Sequence, residues 1–239
     1  MLKRGERLDD LHRDGLKIIQ NPAQFCFGMD AALLSSFARV HHGQRHLDLC
    51  TGNGVIPLLL SAKTAGESFI GIEIQEDVAD MARRSIKLNN LEDRIKIIHG
   101  DIREIKLKER FDVVTANPPY MQVGHGEESP NEALRIARHE VMCTLDDVIL
   151  AASQLLVSKG KFYMVHRPAR MVEMFASMQT RGLAPKILRL VQPKAGEPPN
   201  MLLIMAAKGG NAGLDVLAPL IVYGEDGKYT EEVRKIYYE

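Results

Sequence analysis

The chain has 239 residues, 45% of them hydrophobic and 26% charged, and its 31 basic and 31 acidic side chains cancel to a formal net charge of zero. That length and balance exclude a disordered or fibrous chain and fit one domain with small additions. No apolar run approaches the ~18 residues of a membrane span, and no apolar core follows the basic start, so neither a membrane segment nor a secretory signal is expected.

In chain order, 17–20 and 25–27 read as two short strands around the turn pair Asn21-Pro22. Asp30 is expected to cap a helix running to about Val40. From there strands and helices alternate, with strands at 46–50, 68–74, 95–99, 111–116 and 161–166 and helices at 55–65, 77–90, 144–157 and 170–181. Val78, Met81, Ile86 and Leu88 fall on or near one face of the second of these helices. Thr144 and Asp147 give the third a capping-box-like start. Two more strands, 187–191 and 201–207, flank the proline-bearing loop 192–200 and predict an antiparallel final pair.

Strands such as 69–74 and 113–116 are apolar without clean alternation, as in a sheet covered on both faces. The expected fold is α/β: a doubly wound, mostly parallel, seven-stranded sheet with an antiparallel last strand and a short N-terminal hairpin-helix extension. The whole of 1–239 reads as a single domain, made of an extension (1–40), a Rossmann-like core (41–207) and a glycine-rich, then charged tail (208–239) that ends in a short helix or strand.

Open α/β sheets bind ligands outside the carboxyl ends of their strands. The strand at 46–50 runs into Cys50-Thr-Gly-Asn-Gly54, where Gly52 and Gly54 allow a tight turn and close backbone approach to a ligand. The third glycine of a dinucleotide fingerprint is replaced by Pro57, and acidic Asp48 precedes the turn. That suits a sulfonium cofactor with an α-amino group better than the anionic pyrophosphate of NAD. Glu73 ends the next strand, where an acid accepts from ribose hydroxyls, and Asp101 ends the third, placed to accept from an adenine amino group.

The fourth strand ends in Asn117-Pro118-Pro119-Tyr120. Two prolines stiffen the backbone, so the Asn117 side-chain carbonyl and the Pro118 backbone carbonyl are able to face one guest, with Tyr120 as a stacking surface. An amino group conjugated to a ring is a poor nucleophile. Two in-plane acceptors help its nitrogen pyramidalise as charge develops, and no general base is required first.

Asp48-Leu-Cys-Thr-Gly-Asn-Gly54, Glu73, Asp101 and Asn117–Tyr120 together resemble class I S-adenosylmethionine-dependent methyltransferases over roughly residues 40–207. The resemblance implies S-adenosylmethionine as cofactor. It places Asp48, Gly52 and Gly54 at the methionine end, Glu73 at the ribose and Asp101 with Ile102 at the adenine. Thr51, Asn53, Ile74 and Asn117 complete the implied cofactor set, and Asn117, Pro118, Pro119 and Tyr120 the catalytic one. The motif is shared by enzymes methylating adenine N6, cytosine N4, guanine N2 and glutamine N5.

Peripheral runs narrow the resemblance to the bacterial tRNA-Val (adenine-N6) methyltransferases, which act on the adenine beside the anticodon. These runs are Glu6-Arg-Leu-Asp-Asp10 with Leu16-Lys-Ile-Ile-Gln20, Phe25-Cys-Phe-Gly-Met-Asp30 on to Leu34, Arg138-His139-Glu140, and Glu197-Pro-Pro-Asn200. A partly unstacked anticodon-loop base is cheaper to extract than a duplex base, and no large additional DNA-binding domain is present. The eight cations Lys159, Lys161, Arg167, Arg170, Arg181, Lys186, Arg189 and Lys194, set against Glu173 alone, offer a face for a phosphate backbone.

The polar segment 121–130 is expected to form a loop over the site, and Ser129-Pro130-Asn131-Glu132 to start a helix carrying Arg135 and Arg138. His41, His42 and His46 show no metal-ligand pattern and read as surface or core residues, so no metal is expected. The three cysteines, Cys26, Cys50 and Cys143, are widely spaced and fit a reducing cytoplasm rather than a disulfide framework. The implied partner is tRNA, through its anticodon region, with no membrane and with the enzyme a monomer or a dimer. Competing expectations are protein glutamine-N5 methylation, rRNA guanine-N2 methylation, and a non-catalytic RNA-binding scaffold.

Overall fold

The computed structural model describes residues 2–23, 26–118 and 143–238. Phe25, Pro119, Tyr120, the segment 121–132, Arg135 and Arg138-His139-Glu140, all given roles above, lie outside the described residues.

In chain order the elements are β1 (Arg7–Asp10), β2 (Lys17–Gln20), α1 (Met29–Phe37), β3 (Arg45–Leu49), α2 (Val55–Lys63), β4 (Ser68–Glu73) and α3 (Glu76–Leu88). Then come β5 (Ile95–His99), β6 (Phe111–Ala116), α4 (Leu145–Leu155), β7 (Leu156–His166) and a 3-10 turn at Pro168–Arg170. The last are α5 (Met171–Thr180), β8 (Leu183–Gln192), β9 (Met201–Lys208), β10 (Asp215–Ile221) and α6 (Glu231–Tyr238). Among the described residues one sheet of eight strands has the order β10-β8-β9-β7-β6-β3-β4-β5. Only β9 runs against its neighbours.

All seven expected strands are there, and the antiparallel strand is β9. The eighth, β10, lies in the stretch 208–239 expected as tail. It pairs parallel to β8 at the sheet edge, and Pro219 falls in the register shift between Leu217 and Leu220, where it has no partner on β8.

The sheet separates two cores. Leu33 and Leu34 of α1, Leu58 of α2 and Ala82 of α3 pack with Val113 and Val165 on one face. Val148 and Ile149 of α4 and Met174 of α5 pack with Leu47, Leu49, Val114 and Ala116 on the other. This is the alternation a strand imposes, with neighbours sent to opposite faces. Most helix ends lie within two residues of the sequence reading, and the Thr144–Asp147 capping box is complete. Leu88 is an exception. It is 47% exposed, off the buried face formed by Val78, Met81, Ala82 and Ile86.

The N-terminal extension differs from expectation. Cys26 and Phe27 are not in a strand; β2 pairs instead with β1, through a turn in which Leu16 N donates to Arg13 O and Leu11 N to Leu16 O. Phe27 N is satisfied by the Gln20 side-chain oxygen at 2.9 Å, which removes its need for a strand partner. Asp30 is not the cap of α1. Gly28 is, and the Asp30 carboxylate accepts from Ala31 N inside the first turn.

The hairpin docks on α3. Ile19 N donates to Ser85 Oγ at 2.9 Å, and Arg84 clasps the Glu6 carboxylate with two bonds of 2.5 and 2.8 Å. Among the described residues no helix is long and apolar enough to cross a membrane.

Candidate active site

The carboxyl ends of β3, β4, β5 and β6 meet along one edge of the sheet. Between β3 and α2 the backbone turns through left-handed conformations at Cys50 (φ 57°), Gly52 (φ 58°) and Gly54 (φ 80°). Gly54 is the N-cap of α2, and a Cβ there would stand 3.3 Å from that of Ala82. Pro57 is the third residue of α2, where the missing N–H breaks no helical bond.

Opposite the turn, a Cβ on Gly71 of β4 would come within 2.7 Å of both Thr51 Oγ1 and Ile97 Cδ1. Gly71 therefore makes the seat for Thr51. An isolated glycine in an apolar strand beside a glycine turn is the signal that marks it.

The strand-end acids hold different positions. Asp48 is 0% exposed, and both its oxygens are taken: the Thr115 hydroxyl donates to Oδ1 at 2.5 Å and the Thr51 hydroxyl to Oδ2 at 2.7 Å. It braces the turn from beneath rather than lining open space. Burial pushes its carboxyl up to about 7, with Glu73 adding to the rise and the two hydroxyls opposing it.

Glu73 is 5% exposed and accepts from Gly52 N at 2.9 Å and Gln75 N at 3.0 Å, which locks the turn to the end of β4. Ile74 O accepts from His99 Nε2 at 3.0 Å. Asp101 accepts from its neighbour's backbone and side chain, since Arg103 N, Nε and Nη2 all point at it. That guanidinium holds the Asp101 carboxyl below its ordinary value. Ile102 is packed into the core beside Cys143 and Val114.

β6 lies next to β3, with Leu49 and Ala116 as register partners, so Cys50 and Asn117 emerge side by side. Asn117 is half-buried and Pro118 buried. The neighbouring Cys143 thiol, and after it burial, raise the Cys50 thiol well above its ordinary value.

Three residues at the site escaped the sequence reading. Thr115 and His46 extend the Asp48 brace, His46 Nε2 lying 2.8 Å from Thr115 Oγ1. Gln20 of the N-terminal hairpin reaches the turn, its Oε1 3.4 Å from Asn53 Nδ2. Asn53 is 0% exposed and its Oδ1 has no partner. A buried amide oxygen without a donor is the kind of group a ligand satisfies. With the glycine cradle and the strand-end carboxylates, it fits a nucleoside cofactor bearing an amino group. Among the described residues no cluster of His, Cys, Asp or Glu is placed to hold a metal ion.

Residues 16–180 match the family described as the methyltransferase small domain. The chain is 30% identical over 184 residues to the tRNA1(Val) (adenine(37)-N6)-methyltransferase of Tolumonas auensis, covering 76% of each chain. It is 25% identical over 214 residues to the protein of that name from Bacteroides thetaiotaomicron, covering 88% of this chain and 89% of the relative. Among solved structures, it is similar to a predicted O-methyltransferase, protein Atu636 from Agrobacterium tumefaciens. That likeness has a TM-score of 0.71 and 26% identity, over 87% of this chain and 95% of the other.

Proposed function

The chain belongs to the methyltransferase small-domain family and is an S-adenosylmethionine-dependent methyltransferase, and from that premise we propose that it methylates the exocyclic N6 of an adenine in tRNA, at position 37 beside the anticodon of tRNA-Val. The observation that carries the reading is the junction of β3 and β6. The glycine turn and Asn117-Pro118 leave adjacent strands at one level of the sheet, a strand spacing of about 4.8 Å apart.

S-adenosylmethionine, when bound, supplies an electrophilic methyl on a sulfonium sulfur. Thr51, Gly52, Asn53 and Gly54 would hold its methionine end over the Asp48 brace, Glu73 with Ile74 its ribose, and Asp101 with Ile102 its adenine. For Asp101, Arg103 must share or release the carboxylate. The Asn117 side-chain oxygen and the Pro118 carbonyl would accept the two amino hydrogens of the guest; the roles expected for Pro119 and Tyr120 fall outside the described residues. Those two bonds strengthen as the nitrogen loses planarity, so they act on the transition state more than on the bound substrate. The relatives named for adenine 37 of tRNA1(Val) support the choice of nitrogen and of RNA. We place the reaction in the cytoplasm, in keeping with the three free cysteines.

The test is to incubate the enzyme with labelled cofactor and total small RNA, separate tRNA-Val from the rest by hybridisation, then digest each fraction to nucleosides. Label in N6-methyladenosine from tRNA-Val is the expected outcome; label in N2-methylguanosine, or only in protein, overturns it. In the same assay Asn117→Ala should abolish transfer while cofactor affinity stays within a few-fold. Equal loss of both would make Asn117 structural.

A further inference from the structure

The polar side chains beneath the turn form one continuous chain. His46 and Asp48 stand two apart on β3 and so face the same side of the sheet. Thr115 on β6 is the register partner of Asp48. All three are 0% exposed.

While Asp48 is ionised, the Thr115 hydroxyl gives its single proton to Asp48 Oδ1. Its 2.8 Å contact with His46 Nε2 therefore needs the imidazole proton on that nitrogen. Nδ1 is left as the bare one, buried and without a partner. At the other end Asp48 holds Thr51, whose N–H donates to Ile72 O at 2.9 Å. The chain thus runs from β6, two residues before Asn117, through β3 to the turn and on to β4.

We propose that His46 and Thr115 are positioning residues which, through Asp48, hold the cofactor turn and the acceptor end of β6 in one fixed arrangement. The acceptor half of this statement rests on the reading of Asn117 given above. Packing alone gives no reason for such a chain, because apolar residues of equal volume would fill the sheet without the cost of desolvating four polar groups. A hydrogen-bonded chain fixes angles and distances that apolar contacts leave free.

The chain also sets a charge. The groups facing Asp48 are Thr115 from β6, Thr51 and Cys50 from the turn, and Glu73 from β4. Of these, the two hydroxyls favour the ionised carboxylate, while Glu73 and burial oppose it. A sulfonium cation binds better above a carboxylate than above a carboxylic acid. Cofactor affinity therefore rises as pH climbs through the Asp48 value of about 7, and loss of the Thr115 hydroxyl moves that rise to higher pH.

The experiment compares S-adenosylmethionine binding by calorimetry in the intact enzyme, Thr115→Val and Thr115→Ser, across the neutral range, with urea unfolding alongside. Thr115→Val should weaken binding roughly tenfold, the loss typical of one hydrogen bond to a buried charge, and shift the pH midpoint upward. Thr115→Ser should restore both. A Thr115→Val protein that binds with unchanged affinity and midpoint overturns the inference. So does a Thr115→Ser protein as weak as Thr115→Val, since volume and not the hydroxyl would then be the cause.

Should Thr115→Val not fold, the nitrogen spectrum of His46 in the unmodified enzyme decides. A neutral ring protonated on Nε2 above the Asp48 midpoint supports the chain; protonation on Nδ1 overturns it. An unmodified enzyme that binds no cofactor at all would instead remove the cofactor reading itself.

Discussion

Burial lifts the Asp48 carboxyl from an ordinary 3.8 up to about 7. Between those values the folded chain keeps a proton that the unfolded chain has released. This group therefore favours the fold most at low pH, and its contribution is lost as pH rises through about 7. The buried histidines act in the opposite sense. His46 is pushed down to about 3 and His166 to about 4, so between those values and 6.5 only the unfolded rings are protonated, and stability falls as pH drops from 6.5. Asp48→Asn removes the opposing contribution. Its thermal midpoint should climb more steeply than that of the unmodified protein between pH 3.8 and 6.5; a parallel climb would show that Asp48 is already ionised in the fold. None of this was legible from residue types. Asp48 reads as a ligand-facing acid and His46 as a surface or core residue, because the hydroxyl that engages Asp48 belongs to Thr115, 67 positions away.

At the scale of elements, the glycine turn after β3 is shaped by what lies across from it. Gly71 has no room for a methyl group, since Thr51 and Ile97 already occupy the position. Gly71→Ala should destabilise the protein by about 1–3 kcal/mol, the usual range for overpacking, and weaken cofactor binding with it. Urea unfolding and calorimetry check both, and a variant stable and tight-binding would mean that Thr51 has another seat. The alternating strands and helices were legible because each carries its own period, and the Thr144 cap because its partner is three residues away. What failed was pairing. The 25–27 stretch looked like a strand until Gln20 satisfied the Phe27 N–H, and β10 looked like tail because only its far end, at Leu220, is buried. The Gln20 link to Asn53 joins a hairpin to a turn 33 residues on, a contact no local pattern announces.

Over the whole molecule, strand direction sorts the basic stretch that sequence shows as one block. Register places His166 and Val191 beside Leu202 and Met201, and Lys161 beside Ala207. Arg167, Arg170 and Lys194 therefore lie toward the edge that carries the site, and Lys159, Lys161, Arg181 and Lys186 toward the opposite one. Several are already engaged: Arg189 by Glu232, Arg181 by Asp146 and Arg170 by Glu173. Reversing Arg167 and Lys194 to glutamate should weaken tRNA binding and lower its salt slope by about one unit per lost phosphate contact. Reversing Lys159 and Lys161 should leave the slope as it was; the opposite pattern would put the RNA on the far edge. The strand order has a further effect on synthesis. β8 sits between β9 and β10, both of which are translated after it. At ribosomal speeds the end of β9 follows that of β8 by on the order of a second, and until then β8 has neither of the two strands that flank it in the finished sheet.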